Sequence, residues 1–240
     1  MKKTAIKASK ISVELEGKKI LKDLSIEINH RELVALVGPF GSGKTTLLRV
    51  FNGTIIPEFG DIEILGKKPS EFKPGEIPAL AGFLHENPDD QLFLSNVFDD
   101  IAFGPRNYGL PRDEVNHRVL SVAKKIGIIN LLEREIGSLS FGEKKLIALA
   151  GILVMNPELL LLDDPLLGLD FWTSEKVLNL LKQLKKVTTI ICTANQWEML
   201  DIADRILFID NGKIQEEFDS TEEFKNFFYR NLNYDDQLLY

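Results

Sequence analysis

The stretch that most constrains the fold runs from Gly38 to Thr46 and reads GPFGSGKTT. It directly follows the apolar run Leu33–Val37, which is typical of a buried strand. A glycine-rich turn between a strand and a helix aims several backbone N–H groups, and the positive end of the helix dipole, at one point. The pattern therefore predicts an α/β sheet built around a phosphate-binding loop.

Each residue type in this loop has a physical role. Glycines at 38, 41 and 43 permit a tight turn and a close approach of the backbone to phosphate groups. Lys44 is expected to reach the β- and γ-phosphates of a nucleotide, and the Thr45 hydroxyl is expected to ligate Mg²⁺. The predicted nucleotide-binding residues of the loop are Gly38, Pro39, Phe40, Gly41, Ser42, Gly43, Lys44, Thr45 and Thr46.

Charge and cysteine content exclude several classes of protein. The 240 residues carry a net charge of −7, whereas nucleic-acid binding depends on a surplus of Lys and Arg. The one cysteine, Cys192, cannot form a disulfide within the chain, which favours a reducing cytoplasm. The sequence also has no uninterrupted run of about 18 apolar residues, the length that spans a bilayer. We therefore expect a soluble chain that does not bind nucleic acid.

Apolar periodicity divides the chain into regions of different secondary structure. Segments 6–15 and 19–28 predict an antiparallel sheet. Residues 87–156 show helical spacing, broken by Gly and Pro residues between 104 and 111, and strands then alternate with helices as in a parallel sheet. The predicted fold class is α/β, with a mixed central sheet, an N-terminal antiparallel β part and a helical insert subdomain. The predicted core comprises 1–86 and 157–217, the helical subdomain about 87–156, and the C-terminal helical tail about 218–240.

The tail carries an apolar face. Ser220 and Glu223 have the spacing of a capping box, which marks the start of a helix. This face either packs on its own domain or contacts another subunit. Its members, at helical spacing, are Phe224, Phe227, Phe228 and Leu232.

Two carboxylates, Asp163 and Asp164, follow the apolar strand Leu159–Leu162. In α/β sheets, ligands bind at the carboxyl ends of the strands. Asp163 has the position of the acid that holds Mg²⁺ on the nucleotide in phosphate-loop NTPases. A helix N-cap accounts for one aspartate but not for two, so we predict that Asp163 is a magnesium ligand.

These motifs identify a family resemblance that covers essentially the whole chain. The chain resembles the ATP-binding subunits of ATP-binding cassette (ABC) transporters, which implies a phosphate-loop NTPase core with ATP and Mg²⁺ as cofactors. Two further segments, NPDDQLF at 87–93 and AFGPRNYGL at 102–110, are similar to energy-coupling factor (ECF) importers of vitamins and transition-metal ions. The four family motifs, in order, are GPFGSGKTT, LSFGE at 139–143, LLLLDD at 159–164 and LGLD at 167–170.

The resemblance implies two such subunits facing head to tail, with ATP between the phosphate loop of one and the LSFGE signature of the other. Ser140, Gly142, Glu143 and, from the LGLD loop, Asp170 are then expected to serve nucleotide binding. A helix N-terminus with a free hydroxyl suits an anion. A capping box explains Ser140 and Glu143 equally well but predicts no nucleotide. Leu15 stands where the family has an adenine-stacking aromatic, and leucine can still pack on a purine face.

Three of the departures from the family pattern bear on hydrolysis. Asp164 replaces the catalytic glutamate, so its carboxylate sits one C–C bond, about 1.5 Å, further back. Ala194 replaces a histidine that touches the γ-phosphate. Glu86 replaces a glutamine, and the Glu86 carboxylate can still reach Mg²⁺ or its water. Such displacements and lost donors cost roughly 100-fold in rate. We therefore expect slow hydrolysis at this chain's own site, with Asp164 and Glu86 as the catalytic candidates.

The resemblance also implies partners and a location. We expect a heterodimer with a second ABC ATPase subunit, together with a transmembrane scaffold protein and a substrate-binding membrane component, at the cytoplasmic face of the cell membrane. The apolar run 91–98 either lies in the core or lines a groove for a scaffold helix. Two other functions stay open: a weakly catalytic partner that regulates an active mate, and a soluble ABC ATPase without a transport role.

Overall fold

The computed structural model describes residues 3–235, and for 232–235 the backbone alone. The strands are β1 (Thr4–Leu15), β2 (Lys18–Asn29), β3 (Leu33–Val37), β4 (Phe59–Ile64), β5 (Ala81–Leu84), β6 (Leu159–Leu162), β7 (Thr189–Thr193), β8 (Arg205–Asp210) and β9 (Lys213–Phe218). The helices are α1 (Lys44–Phe51), α2 (Glu76–Leu80), α3 (Val97–Asn107), α4 (Arg112–Ile126), α5 (Phe141–Leu153), α6 (Phe171–Leu184), α7 (Trp197–Leu200) and α8 (Thr221–Asp235).

The strands form two sheets. The first is antiparallel, in the order β2-β1-β4, and includes the two strands predicted at the start of the chain. The second has the order β5-β6-β7-β3-β8-β9 and is parallel except for β9. This order places β3 and β6 on either side of β7, so that the carboxyl ends of all three strands meet at one edge.

The central sheet is covered on both faces, which explains its continuous apolar runs. On β3, Leu33, Ala35 and Val37 join an apolar cluster formed with the helices. The intervening residues, Val34 and Leu36, join a second cluster formed with the antiparallel sheet and α1. The phosphate loop therefore extends from a strand that is held on both sides.

Helices α3, α4 and α5 follow β5 and precede β6 in the chain, and they pack on one another. Their buried side chains belong to the same apolar cluster as one face of the central sheet. The division into a core (1–86 and 157–217), a helical subdomain and a tail stays a prediction, because this cluster runs through both the insert and the core. Within residues 3–235, no helix is both long enough and apolar enough to cross a membrane.

Helix α3 continues through Gly104 and Pro105, two of the Gly and Pro residues that precede α4 in the sequence. The Asn96 side chain caps its start by accepting hydrogen bonds from the N–H groups of Phe98 (2.9 Å) and Asp99 (3.4 Å). A Cβ added at Gly104 would stand 2.9 Å from the Met155 sulfur. Gly104 therefore leaves room for the Met155 side chain against α3 and does not end the helix.

Helix α8 packs on its own domain, which is the first of the two alternatives for its apolar face. Phe224 is buried in the main apolar cluster, and the Phe227 ring lies 5.2 Å from Phe208 and 5.1 Å from Phe218 between centroids. Phe228 is 37% exposed. The side chain of Leu232 and the predicted tail beyond residue 235 lie outside the described residues.

Candidate nucleotide-binding site

The phosphate loop connects β3 to α1 through three glycines in the left-handed φ region. Gly38, Gly41 and Gly43 have φ angles of 145°, 75° and 107°. A Cβ at Gly43 would lie 2.9 Å from the Leu21 side chain, and one at Gly38 would collide with the Ile209 carbonyl. The positive φ angles favour glycine at all three positions, and close neighbours also restrict side chains at Gly38 and Gly43.

The Lys44 ammonium lies inside this loop. Its Nζ donates hydrogen bonds to the carbonyl oxygens of Gly38 and Pro39, each at 2.8 Å. Burial lowers the pKa of Lys44, and the carboxylates of Asp163, Asp164 and Glu86 oppose that shift. The loop therefore presents a held positive charge next to three acidic groups.

A cavity of about 220 Å³ opens in front of the loop. It brings together the predicted magnesium ligands Thr45, Asp163 and Glu86 with the predicted catalytic residue Asp164. Gly38 and Pro39 lie behind Lys44 and do not line it. The lining residues are Ile20, Phe40, Gly41, Ser42, Gly43, Lys44, Thr45, Thr46, Glu86, Asp163, Asp164, Thr193 and Asn195.

The two aspartates are fixed by a hydrogen-bonded network from β7. Thr193 Oγ1 donates to Asp163 Oδ1 (2.8 Å) and accepts from the Asp164 backbone N–H (2.8 Å). Asn195 Nδ2 donates to Asp164 Oδ2 (2.8 Å), while the buried Asp164 Oδ1 has no partner. Burial raises the pKa of Asp164, and the Asn195 hydrogen bond opposes this shift. One oxygen of Asp164 is thus anchored, and the other is buried without a hydrogen-bond partner.

These donors fit a magnesium ion held together with a nucleotide. Thr45, Asp163 and Glu86 supply only oxygen atoms, which Mg²⁺ prefers. Within residues 3–235, no group of three or more His, Cys, Asp or Glu side chains could hold a metal ion. Mg²⁺ on a nucleotide needs only one or two protein carboxylates, because phosphate oxygens and water complete its octahedron.

Several predicted binding residues lie outside this cavity. Ser140 and Glu143 form a reciprocal capping box at α5: Ser140 Oγ accepts from the Glu143 N–H (3.3 Å), and the Glu143 carboxylate accepts from the Ser140 N–H (2.9 Å). Gly142 lies against the LGLD loop, where a Cβ would stand 3.1 Å from the Gly168 oxygen. Asp170 caps α6 by accepting from the Thr173 N–H (3.0 Å). A role in nucleotide binding for these residues stays a prediction that requires a second chain.

The structure adds three lining residues that the sequence reasoning missed. Leu15 ends β1 at 40% exposure and does not line the cavity, whereas Ile20 on β2 does. Thr193 and Asn195 flank Ala194 at the end of β7. Thr193 and Asn195 could have been predicted from their position at the carboxyl end of a strand, because ligands of α/β sheets bind at that edge.

A comparison with known protein families identifies the family to which the chain belongs. The sequence profile of the ABC transporter family matches residues 21–167, which span the phosphate loop, the LSFGE motif and the two aspartates. The chain belongs to the ABC transporter family. ABC ATPases bind ATP and generally hydrolyse it, and this chain is an ABC ATP-binding subunit.

Similar proteins agree with this assignment. A putative ABC transporter ATP-binding protein of Pyrococcus furiosus is 39% identical over 202 residues, covering 83% of this ABC chain and 77% of the relative. The energy-coupling factor transporter ATP-binding protein EcfA of Methanocaldococcus jannaschii is 38% identical over 88% of this chain and 77% of its own length. The structure of CbiO1 from Clostridium perfringens, part of the ABC transporter complex cbiONQ, has 31% identity and a TM-score of 0.83, covering 93% and 91% of the two chains. The predicted fold class and the similarity to ECF ATPases are confirmed.

Proposed function

We propose that this chain is the ATP-binding subunit of an ECF-type importer, binding Mg-ATP to energise uptake of a vitamin or metal ion. The observation that carries the proposal is the convergence of Lys44, Thr45, Asp163 and Glu86 in one cavity. The similarity to EcfA and to CbiO1 supports the importer assignment. The lack of surplus positive charge disfavours a nucleic-acid partner, as the net charge of −7 indicates.

The chain's own residues would divide the work at this site. Lys44 and the N–H groups of the loop bind and orient the phosphates. Thr45, Asp163 and Glu86 would hold Mg²⁺, which neutralises the charge that develops on the phosphate oxygens. Asp164 Oδ1 is the free acceptor for the proton of an attacking water, and Asn195 fixes the carboxylate through Oδ2.

The remaining predicted binding residues support a dimeric site. ABC ATPases dimerise, and Ser140, Gly142, Glu143 and Asp170 all lie outside the cavity of their own chain. They are proposed to complete the site of a second ABC ATPase subunit in a heterodimer. The assembly would include a transmembrane scaffold and a substrate-binding component at the cytoplasmic face of the membrane.

The apolar run 91–98 separates into a buried and an exposed part. Val97 is fully buried, and Leu92 packs against the main apolar cluster. Phe93 is 60% exposed, and its ring lies 4.6 Å from that of Phe103. Asp100 Oδ1 fixes this segment by accepting hydrogen bonds from the backbone N–H groups of Phe93 and Leu94. The exposed Phe93–Phe103 pair is the proposed contact for an apolar helix of the scaffold.

Phe93→Asp is expected to reduce co-purification with the membrane scaffold about tenfold or more, because buried aromatic anchors dominate interface energies. Its melting temperature should stay close to that of the unaltered chain, since Phe93 is exposed. Ile56→Asp is the matched control, because Ile56 is 73% exposed and apolar but lies elsewhere. Scaffold binding that survives Phe93→Asp, or that is lost equally in Ile56→Asp, would reject this contact.

A second candidate is a regulatory subunit that binds ATP but turns it over weakly. Ala194 favours it, because this residue is 4% exposed and offers no side-chain donor at the end of β7. The two candidates share the same nucleotide site and differ only in hydrolysis. Single-turnover measurements on the assembled pair distinguish them.

A further inference from the structure

Lys145 on α5 carries a buried ammonium whose partners are peptide oxygens. The residue is 1% exposed. Its Nζ donates hydrogen bonds to the carbonyl oxygens of Glu86 (2.6 Å), His85 (3.0 Å) and Asp163 (3.3 Å). An ammonium has three N–H donors, so all three are used. Burying such a charge is costly unless it is fully hydrogen-bonded, which makes this arrangement specific rather than incidental packing.

The three carbonyls belong to the two chain segments that carry the proposed magnesium ligands. His85 and Glu86 directly follow β5, and Asp163 directly follows β6. These strands are parallel neighbours in the central sheet, with Leu84 opposite Leu162. The Lys145 ammonium therefore ties together two strand ends at the point where the Glu86 and Asp163 side chains enter the cavity.

A second contact holds the same segment against α5. The Gln91 side chain accepts a hydrogen bond from the His85 N–H (3.2 Å) and donates one to the Ala148 carbonyl (3.1 Å). Helix α5 is thus hydrogen-bonded to the chain on both sides of Glu86, at His85 and at Gln91. Lys145 is the member of this set that also reaches Asp163.

We propose that Lys145 is a positioning residue that sets the backbone at Glu86 and Asp163 so that their carboxylates bind the Mg²⁺ of Mg-ATP. This inference rests on the proposed nucleotide site. Lys145 makes no hydrogen bond to the phosphate loop, so its effect falls on the metal and not on the phosphates. Removing groups that orient metal ligands typically costs 10–100-fold in metal affinity.

The test compares ATP affinity with and without magnesium. Lys145→Met keeps an unbranched side chain that fills most of the same space but removes its donors. It is expected to weaken ATP binding about tenfold in Mg²⁺ and to leave the affinity measured in EDTA unchanged, as determined by calorimetry. Lys144→Met is the matched control, because Lys144 is the neighbouring lysine on α5 and its ammonium pairs with Asp89 (2.7 Å) instead; both affinities should be unchanged.

Lys145→Gln provides a second variant if the methionine variant fails to fold, which circular dichroism and the melting temperature would reveal. It keeps N–H donors, although on a side chain one bond shorter, and should lose less magnesium-dependent affinity than the methionine variant. An equal loss with and without Mg²⁺, or no loss in either, overturns the positioning role while leaving the nucleotide site intact. An unaltered chain that binds no ATP in either condition refutes the proposed function and this inference with it.

Discussion

Lys44→Ala is expected to raise the dissociation constant for ATP by at least about 100-fold. The Lys44 ammonium is held inside the phosphate loop by the carbonyls of Gly38 and Pro39, where a phosphate group would meet it. Hydrogen bonds to charged groups contribute about 1.5–3 kcal/mol each, and each 1.4 kcal/mol is tenfold in affinity. Isothermal calorimetry with ATP in the presence of Mg²⁺ measures the change directly.

The control for this experiment is Lys124→Ala on the outer face of α4, which removes the same charge from an exposed position. It should leave the affinity unchanged, which separates a local contact from an effect of net charge. The melting temperature of Lys44→Ala without nucleotide should also be close to that of the unaltered chain, because the partners of Lys44 are loop carbonyls that water can solvate. Unchanged ATP affinity in a folded Lys44→Ala chain would show that the nucleotide binds elsewhere.

The sequence was sufficient to predict those parts of the site that lie within one short segment of the chain. Five consecutive buried residues form β3, and the next residues supply the glycines that permit the loop. The run Leu159–Leu162 predicts β6, and Asp163 follows it directly into the cavity. In both cases, one short segment contains the strand, its end and the functional side chain. No knowledge of the sheet order is needed.

The residues that sequence reasoning missed depend on the sheet order. Thr193 and Asn195 line the cavity only because β7 lies between β3 and β6, a placement set by long-range packing. Ile20 reaches the cavity because β2 crosses close to Gly43, whose added Cβ would stand 3.2 Å from the Ile20 oxygen. In the sequence, Lys145 is indistinguishable from an exposed polar residue of a helix. It is buried because the ends of two strands that are distant in sequence pack around its ammonium.

Own-site hydrolysis in the proposed heterodimer is expected to be at least about 100-fold slower than at the mate's site. The Asp164 carboxylate stands one C–C bond further back than a glutamate would, and Asn195 holds its Oδ2. Ala194 contributes no donor to the phosphates. The two deficits need not add, because residues that act as a unit are non-additive.

The measurement is single-turnover ATP cleavage in the purified pair, with the mate's catalytic glutamate removed so that only this chain's site can react. Asp164→Glu combined with Ala194→His should raise the rate, since the first change advances the carboxylate and the second restores a donor. Ala194 borders a cavity of about 650 Å³ between the phosphate loop and α8, which gives an imidazole room.

Two further variants make the result decisive. Asp164→Asn should remove the residual own-site rate, because an amide cannot accept the proton of the attacking water. In a second pair whose mate keeps its catalytic glutamate, Ser140→Arg should stop cleavage at the mate's site and leave this chain's site unaffected, since the signature motif serves the partner's ATP in the proposed dimer. Rapid cleavage in the unaltered chain, near the rate of the intact pair, would mean that the Asn195-anchored Asp164 suffices for catalysis. In that case the aspartate would be an alternative catalytic base, and both sites of the dimer would drive transport.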